Sequence, residues 1–353
     1  MKRVCLAWMI LVLMLGFVCF AIAEPNPKTE TTTTWASIKS DGVVTVKAAP
    51  KKSVTMVPRD YATIQEAIDE ADPGDTIKVA AGEYAGAEID KPVSLIGANS
   101  VITNLPGTPR IQPHLPAGFK LIDGADGTSI RGFVFDGKDF AEKLGESWPD
   151  APDVLALAVY SKSVDNVVIE HNTVLGTMQG ISNWYGNGWV ISHNDVVEQG
   201  YRNGGGLGIL VGSSMLSQGE PVSGNVIEYN RVTGTINADF PGNYSMAGIV
   251  LFGVVGTVVR NNKVAFVNEC SVEELGIGIS VTSIATMGRV WPLCVDTEVV
   301  NNDCRDSEIG LVVDEGNSEG LFARGNFGRN VIVDLDVDSS VKNRSPASVF
   351  EGE

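Results

Sequence analysis

The chain has 353 residues and a net charge of −17, from 26 basic and 43 acidic side chains. Apolar residues make up 44% of it, enough to build a large core and to exclude wholesale disorder. An acidic chain without a basic block repels phosphate backbones, which argues against a nucleic-acid partner. Three His and no Cys-x-x-Cys pair exclude zinc fingers.

Residues 1–23 read as a targeting signal. Met1-Lys2-Arg3 is a basic start, Val4 to Ile22 is an apolar run, and Ala21-Ile22-Ala23 is the small-x-small pattern that signal peptidase cuts. Cleavage is expected before Glu24. Loss of Lys2 and Arg3 moves the net charge from −17 to −19. The expected product is secreted or periplasmic, with no stable membrane insertion. An uncleaved anchor is the alternative, because the run is long for a signal. Residues 24–52 read as a flexible spacer. Pro25, Pro27 and the Thr31–Thr34 run carry no apolar periodicity, and Val43–Val46 reads as a short strand.

A short helix follows. Thr63-Ile64-Gln65-Glu66 fits a capping box. Ile64, Ala67, Ile68 and Ala71 fall on one helix face, and Pro73-Gly74 ends it. The helix reads as a lid over the end of a core, with Asp75-Thr76-Ile77-Lys78-Val79 starting the first coil.

The body, residues 53–340, is a repeat. Val168-Ile169-Glu170-His171-Asn172 returns as Val190-Ile191-Ser192-His193-Asn194, then as Val226-Ile227-Glu228-Tyr229-Asn230 and Val258-Val259-Arg260-Asn261-Asn262. Val299-Val300-Asn301-Asn302 and Phe322-Ala323-Arg324-Gly325-Asn326 follow, and Gly132 takes the same slot in an earlier copy. The recurrent Asn172, Asn194, Asn230, Asn262, Asn302 and Asn326 are 22, 36, 32, 40 and 24 residues apart. A near-constant minimum with variable excess means a fixed coil plus loops. Period-2 alternation makes the pieces strands. Gly-led apolar strands recur at Gly180, Gly206, Gly248, Gly276 and after Ile309. Three short strands per coil, with no partner inside the coil, satisfy their backbones only by stacking on the next coil. The predicted fold is all-β, a right-handed parallel β-helix. Its Asn residues form an internal structural ladder, each amide donating to the next coil's carbonyl. Asp334, Asp336 and Asp338 alternate with Leu335 and Val337 in a last, acid-bearing edge strand. Residues 341–353 are left as a C-terminal tail.

The stretch Asp60-Tyr61-Ala62-Thr63-Ile64-Gln65-Glu66-Ala67-Ile68, then Pro73-Gly74-Asp75-Thr76-Ile77 and Gly82-Glu83-Tyr84, resembles the N-terminal cap of the pectin-lyase-like superfamily. With the Asn ladder, the resemblance spans residues 54–338. It implies the fold but no single activity, since the superfamily includes lyases, hydrolases, esterases, epimerases and adhesins. Gly206-Leu207-Gly208-Ile209-Leu210-Val211-Gly212-Ser213 resembles a polygalacturonase segment, with Leu207 where that family has His. The paired acids of glycoside hydrolysis and the acid–base cluster of pectate lyases are absent from the matching strands.

In the superfamily the substrate cleft follows the longest loops. That places a groove over the Gly-led strands, walled by loops 137–153, 199–205, 235–247 and 267–275. Trp184, Tyr185, Tyr201, Tyr244 and Trp291 fall in or beside these loops, with Arg202, Asp239, Glu273 and Arg289. Flat rings with polar edges suit sugar faces. These nine are the candidate substrate-binding residues, and no catalytic residue is assigned. His171 and His193 occupy equivalent turns of successive coils and are the candidate metal pair, for copper or zinc. Asp123, Asp126, Asp314 and Glu315 sit in acidic turns suited at most to weak calcium binding. No cofactor is otherwise expected. Cys270, Cys294 and Cys304 remain after the signal. They are read as free thiols, Cys304 inward-facing and buried, with a Cys270–Cys294 bridge as the alternative. The leading function is recognition of a polysaccharide or cell-envelope glycan by an exported monomer. The alternatives are a carbohydrate-active lyase or hydrolase with a non-standard site, and a surface scaffold or adhesin.

Overall fold

The computed structural model describes residues 53–113, 115–137, 155–200, 206–213, 220–236, 246–268, 276–282, 285–286, 289–290, 293–307, 309–313, 318–329 and 349–351. The signal, the spacer, most of the groove-wall loops and the strand read at Asp334–Asp338 lie outside the described residues. No described helix is long and apolar enough to cross a membrane.

The strands stack coil on coil as a right-handed parallel β-helix. One sheet of 18 strands contributes two strands to each coil, and a second of nine carries the Gly-led strands. A third, of two-residue strands at Val222–Ser223, Val254–Val255, Cys294–Val295 and Ser318–Glu319, closes the coils. Apart from two antiparallel pairings at insertions, the ladders are parallel.

Register explains the core. Ile77, Leu95, Ile130, Ile169, Ile191, Ile227, Val259 and Val299 are strand partners in successive coils and are fully buried. β-branched side chains suit this pleated, half-buried setting. Each such side chain contributes about 1.5–3 kcal/mol when removed from water. In most coils the next residue alternates outward and is polar or charged, as at Lys78, Arg131, Glu170, Glu228 and Arg260; Ile96 and Val300 are apolar exceptions.

The ladder is present over its whole length. Asn172 Oδ1 accepts the Phe133 amide at 3.1 Å, and Asn172 Nδ2 donates to Asn194 Oδ1 at 3.1 Å. The same pair of bonds links each later Asn to the next, through Asn326. One detail is reversed. Each amide donates its backbone bond to the preceding coil, as Asn194 Nδ2 does to Ile169 O at 2.9 Å. The earlier copy is also shifted by one. Phe133 fills the ladder slot, with Ser100 before it, and Gly132 aligns with His171. That turn position is left-handed in every copy: Gly132 (φ 76°), His171 (55°), His193 (56°), Tyr229 (54°), Asn261 (55°), Asn301 (54°) and Gly325 (64°). A non-glycine residue there costs about 1–2 kcal/mol, offset by the ladder it permits.

The N-terminal helix, Ile64–Asp69, has both bonds of the capping box. Glu66 N donates to Thr63 Oγ1 and Thr63 N to Glu66 Oε2. Ile64, Ala67 and Ile68 are buried against the first coils. The first coil begins earlier than Asp75. A strand at Val54–Val57 pairs with Thr76–Val79, tied by Ser53 to the Asp75 carboxylate. The tail likewise contributes structure: Val349–Glu351 pairs in parallel with Phe327–Arg329 and extends the first sheet past the last ladder Asn. Cys304 is buried as expected; Cys294 is buried too, and Cys270 lies outside the described residues.

Candidate functional site

The Gly-led strands form the second sheet, and their glycines serve the interior. A Cβ on Gly208 would collide with Val232, and one on Gly248 with Val264; one on Gly278 would stand 3.1 Å from Cys304 Sγ. The two sheets approach too closely there for any side chain. The outward face of these strands holds Leu207, Leu210, Ala247, Val250, Phe252, Ile277 and Val312. None of these is more than 5% exposed. Gln179 and Ser182 share this face, fully buried, with Ser182 Oγ donating to Gln179 Oε1 at 2.9 Å. The expected groove floor is therefore apolar and closed along these strands.

The face opens where the strands end. Lys162, Trp184, Gly212 and Phe252 are register partners in four successive coils. Immediately after them the chain turns left-handed, at Ser163 (φ 61°) and Tyr185 (φ 67°). The turns are held by Ser163 N donating to Trp184 O at 2.8 Å and Tyr185 N to Gly212 O at 2.9 Å. The left-handed backbone swings the Tyr185 ring out to the rim. It lies 6.4 Å from Trp184, tilted 44°, with Lys162 Nζ 6.0 Å from its centroid. Lys162 and Ser163 are exposed, Tyr185 is half-buried, and Trp184 lies beneath at 8%. Trp184 Nε1, Ser161 Oγ and Ser213 Oγ are buried and have no hydrogen-bond partner among the described residues. Beside this rim, burial pushes the Tyr160 phenol above its ordinary pKa.

None of these side chains is a carboxylate or an imidazole; the cluster offers stacking, a cation and hydrogen-bond donors. Of the nine candidate substrate-binding residues, Trp184 and Tyr185 are brought together. Arg289 lies in a short strand, Arg289–Val290, paired with Ala285–Thr286. Tyr201, Arg202, Asp239, Tyr244, Glu273 and Trp291 lie outside the described residues. Lys162, Tyr160 and Ser213 are missed by sequence reasoning. Aligning the Gly-led strands with Leu157–Lys162 puts Lys162 in the Trp184 column, which is the signal that finds it.

His171 and His193 do stack, with centroids 4.9 Å apart and planes at 27°. In the acidic turn at 123–127, Asp126 Oδ1 accepts the Asp165 amide at 2.6 Å. Asp314 and Glu315 lie outside the described residues. Among the described residues no three His, Cys, Asp or Glu gather as a metal-binding group.

No family model and no curated protein matches the chain. Among solved structures it is similar to a pectin methylesterase in complex with a hexasaccharide, at 12% identity and a TM-score of 0.48, over 86% of this chain and 94% of that one. It is also similar to the Streptococcus pneumoniae surface protein and adhesin PfbA, at 12% identity and a TM-score of 0.44, over 75% of this chain and 80% of that one. A third is the catalytic domain of a GH87 α-1,3-glucanase with bound tetrasaccharides, at 13% identity and a TM-score of 0.37, over 80% and 60%. These are likenesses of chain path, and no activity is carried over from them.

Proposed function

We propose that this chain is an exported β-helix protein that recognises a polysaccharide or cell-envelope glycan at the rim formed by Lys162, Trp184 and Tyr185. The observation that carries the reading is the Tyr185 ring, turned out by a left-handed backbone and packed between Trp184 and the Lys162 ammonium. A flat, half-exposed ring with polar groups at its edge fits the C–H face of a sugar and its hydroxyls. A net charge of −17 disfavours polyanions, so the polymer is read as a neutral glycan, with Lys162 Nζ donating to its hydroxyl oxygens. The coil repeat of about 4.8 Å lets a linear polymer track several turns.

The test is a glycan array on the exported chain, with and without calcium, followed by titration of the best ligand. Tyr185→Ala is expected to weaken binding about tenfold, roughly 1.4 kcal/mol, while the far-UV spectrum and melting temperature hold. A folded wild type that binds no glycan, or a Tyr185→Ala variant that binds as well as wild type, overturns the reading. Calcium-dependent binding would direct attention to the acidic turns instead.

A further inference from the structure

The ladder turns of the first sheet carry a second cluster, on a different face of the coil from the Tyr185 rim. His171 and His193 sit at the same turn position in adjacent coils, 22 residues apart with no insertion between them. Register on both sides fixes them one above the other: Glu170 pairs with Ser192 and Thr173 with Asp195. Both have a left-handed backbone, φ 55° and 56°, which points both side chains out of the turn in the same sense. Both rings are exposed, and neither makes a hydrogen bond to a described residue.

The surroundings favour an added ligand over a closed stack. Tyr229 covers the far face of His193 at 5.1 Å. The coil on the other side of His171 has Gly132 in this position, so no ring of a described residue stacks on that face. The neighbouring carboxylates are already paired: Glu170 with Arg131 at 3.9 Å, Asp195 with Arg231 at 2.8 Å, Glu228 with Arg260 at 2.6 Å. Held by guanidinium groups, they add no third ligand, and among the described residues no three-residue metal-binding group forms. Two exposed imidazoles remain, tilted 27° from one another.

We infer that His171 and His193 form a two-imidazole clip for a divalent transition metal ion of the zinc or copper class, water completing its coordination, independently of the glycan reading. Imidazole nitrogen suits these ions, with bonds of about 2.0–2.1 Å, so the two nitrogens must lie within about 4 Å. The rings stack at a centroid spacing of 4.9 Å and a tilt of 27°, so their in-plane nitrogens lie side by side, and the two exposed rings turn about their Cβ–Cγ bonds to bring both lone pairs to one ion. An ion there ties two adjacent coils together from outside.

The experiment is a Cu²⁺ titration of the exported chain at pH 7.5, read by calorimetry and by electron paramagnetic resonance, with Zn²⁺ in competition. One ion per chain with two-nitrogen hyperfine structure is expected. His171→Gln and His193→Gln should each weaken binding at least tenfold, remove one nitrogen from the spectrum and leave the metal-free melting temperature unchanged. His114→Gln, at the third of the chain's three His, serves as the control. Binding no tighter than in the double variant, or loss in only one of the two single variants, overturns the clip.

Discussion

Trp184 and Phe252 stack face to face, centroids 6.2 Å apart and planes 5° from parallel, although a whole strand lies between them. The intervening register partner is Gly212. Its missing side chain lets two rings from next-nearest coils meet. A Cβ at Gly212 would lie 2.6 Å from Phe252 O and 2.7 Å from Phe252 Cβ. Gly212→Val is therefore expected to part the rings and lower stability by about 1–3 kcal/mol, seen as an altered near-UV dichroism band and an earlier urea midpoint. An unchanged near-UV band would mean the stack survives and the account of Gly212 is wrong.

The ladder's centre should matter more than its end. Asn230 Nδ2 donates to Ile191 O, and Asn230 Oδ1 accepts the Asn194 amide at 3.0 Å, all in the dry core. Asn230→Ala strands both partners, at about 1–3 kcal/mol for each buried group left unpaired. Asn326 accepts from Asn302 but donates no ladder bond onward among the described residues. Urea unfolding is expected to show Asn230→Ala as the more damaging change. Equal losses at both positions would show that the ladder's links do not reinforce one another.

Asp75 ties the first strand to the helix end. Its carboxylate accepts from Ser53 Oγ at 2.6 Å, Ser53 N at 2.7 Å and Asp72 N at 3.1 Å. The Ser53 hydroxyl first, then the amides, hold its pKa below the usual carboxylate value. A carboxyl depressed in the folded state adds stability above its unfolded pKa, near 4, and loses it as pH falls through the folded value. Asp75→Asn is expected to cost about 2 kcal/mol at pH 7 and progressively less below pH 4. A melting difference that stays constant from pH 7 to pH 3 would contradict this.

Cys304 is 2% exposed, and burial pushes its thiol pKa to about 12. The thiolate is the reactive form. Native protein at pH 8 should leave Cys304 unmodified by iodoacetamide for hours, and denaturant should expose it at once, as read by peptide mass spectrometry. Rapid alkylation in the native state would mean that the last coils open locally.

The scaffold was legible because its restraints repeat. A buried Asn in a tight turn has one way to satisfy its amide, so the same letter returns at Asn172, Asn194, Asn230, Asn262, Asn302 and Asn326 whatever the loops between them do. The cap was legible from Thr63 and Glu66, whose bonds are local. The site was not, because it depends on register between coils. Nothing near Lys162 in the chain announces Tyr185, 23 residues on, and the Gly-led strands look like a ligand floor until Gly208 is seen facing Val232. The reversed direction of the ladder amides is a matter of turn geometry, which composition does not encode.

The Asn172–Asn194 link also bears on how such a molecule changes over generations. Each coil receives an amide oxygen and an Ile or Val row from one neighbour and presents the same to the other. A segment of 22 residues duplicated or removed whole, cut at equivalent points, leaves every remaining junction with partners of the kind it had before. Length in this protein is thus heritable in unit steps, while a deletion of a few residues inside a coil would throw every later row onto the wrong face.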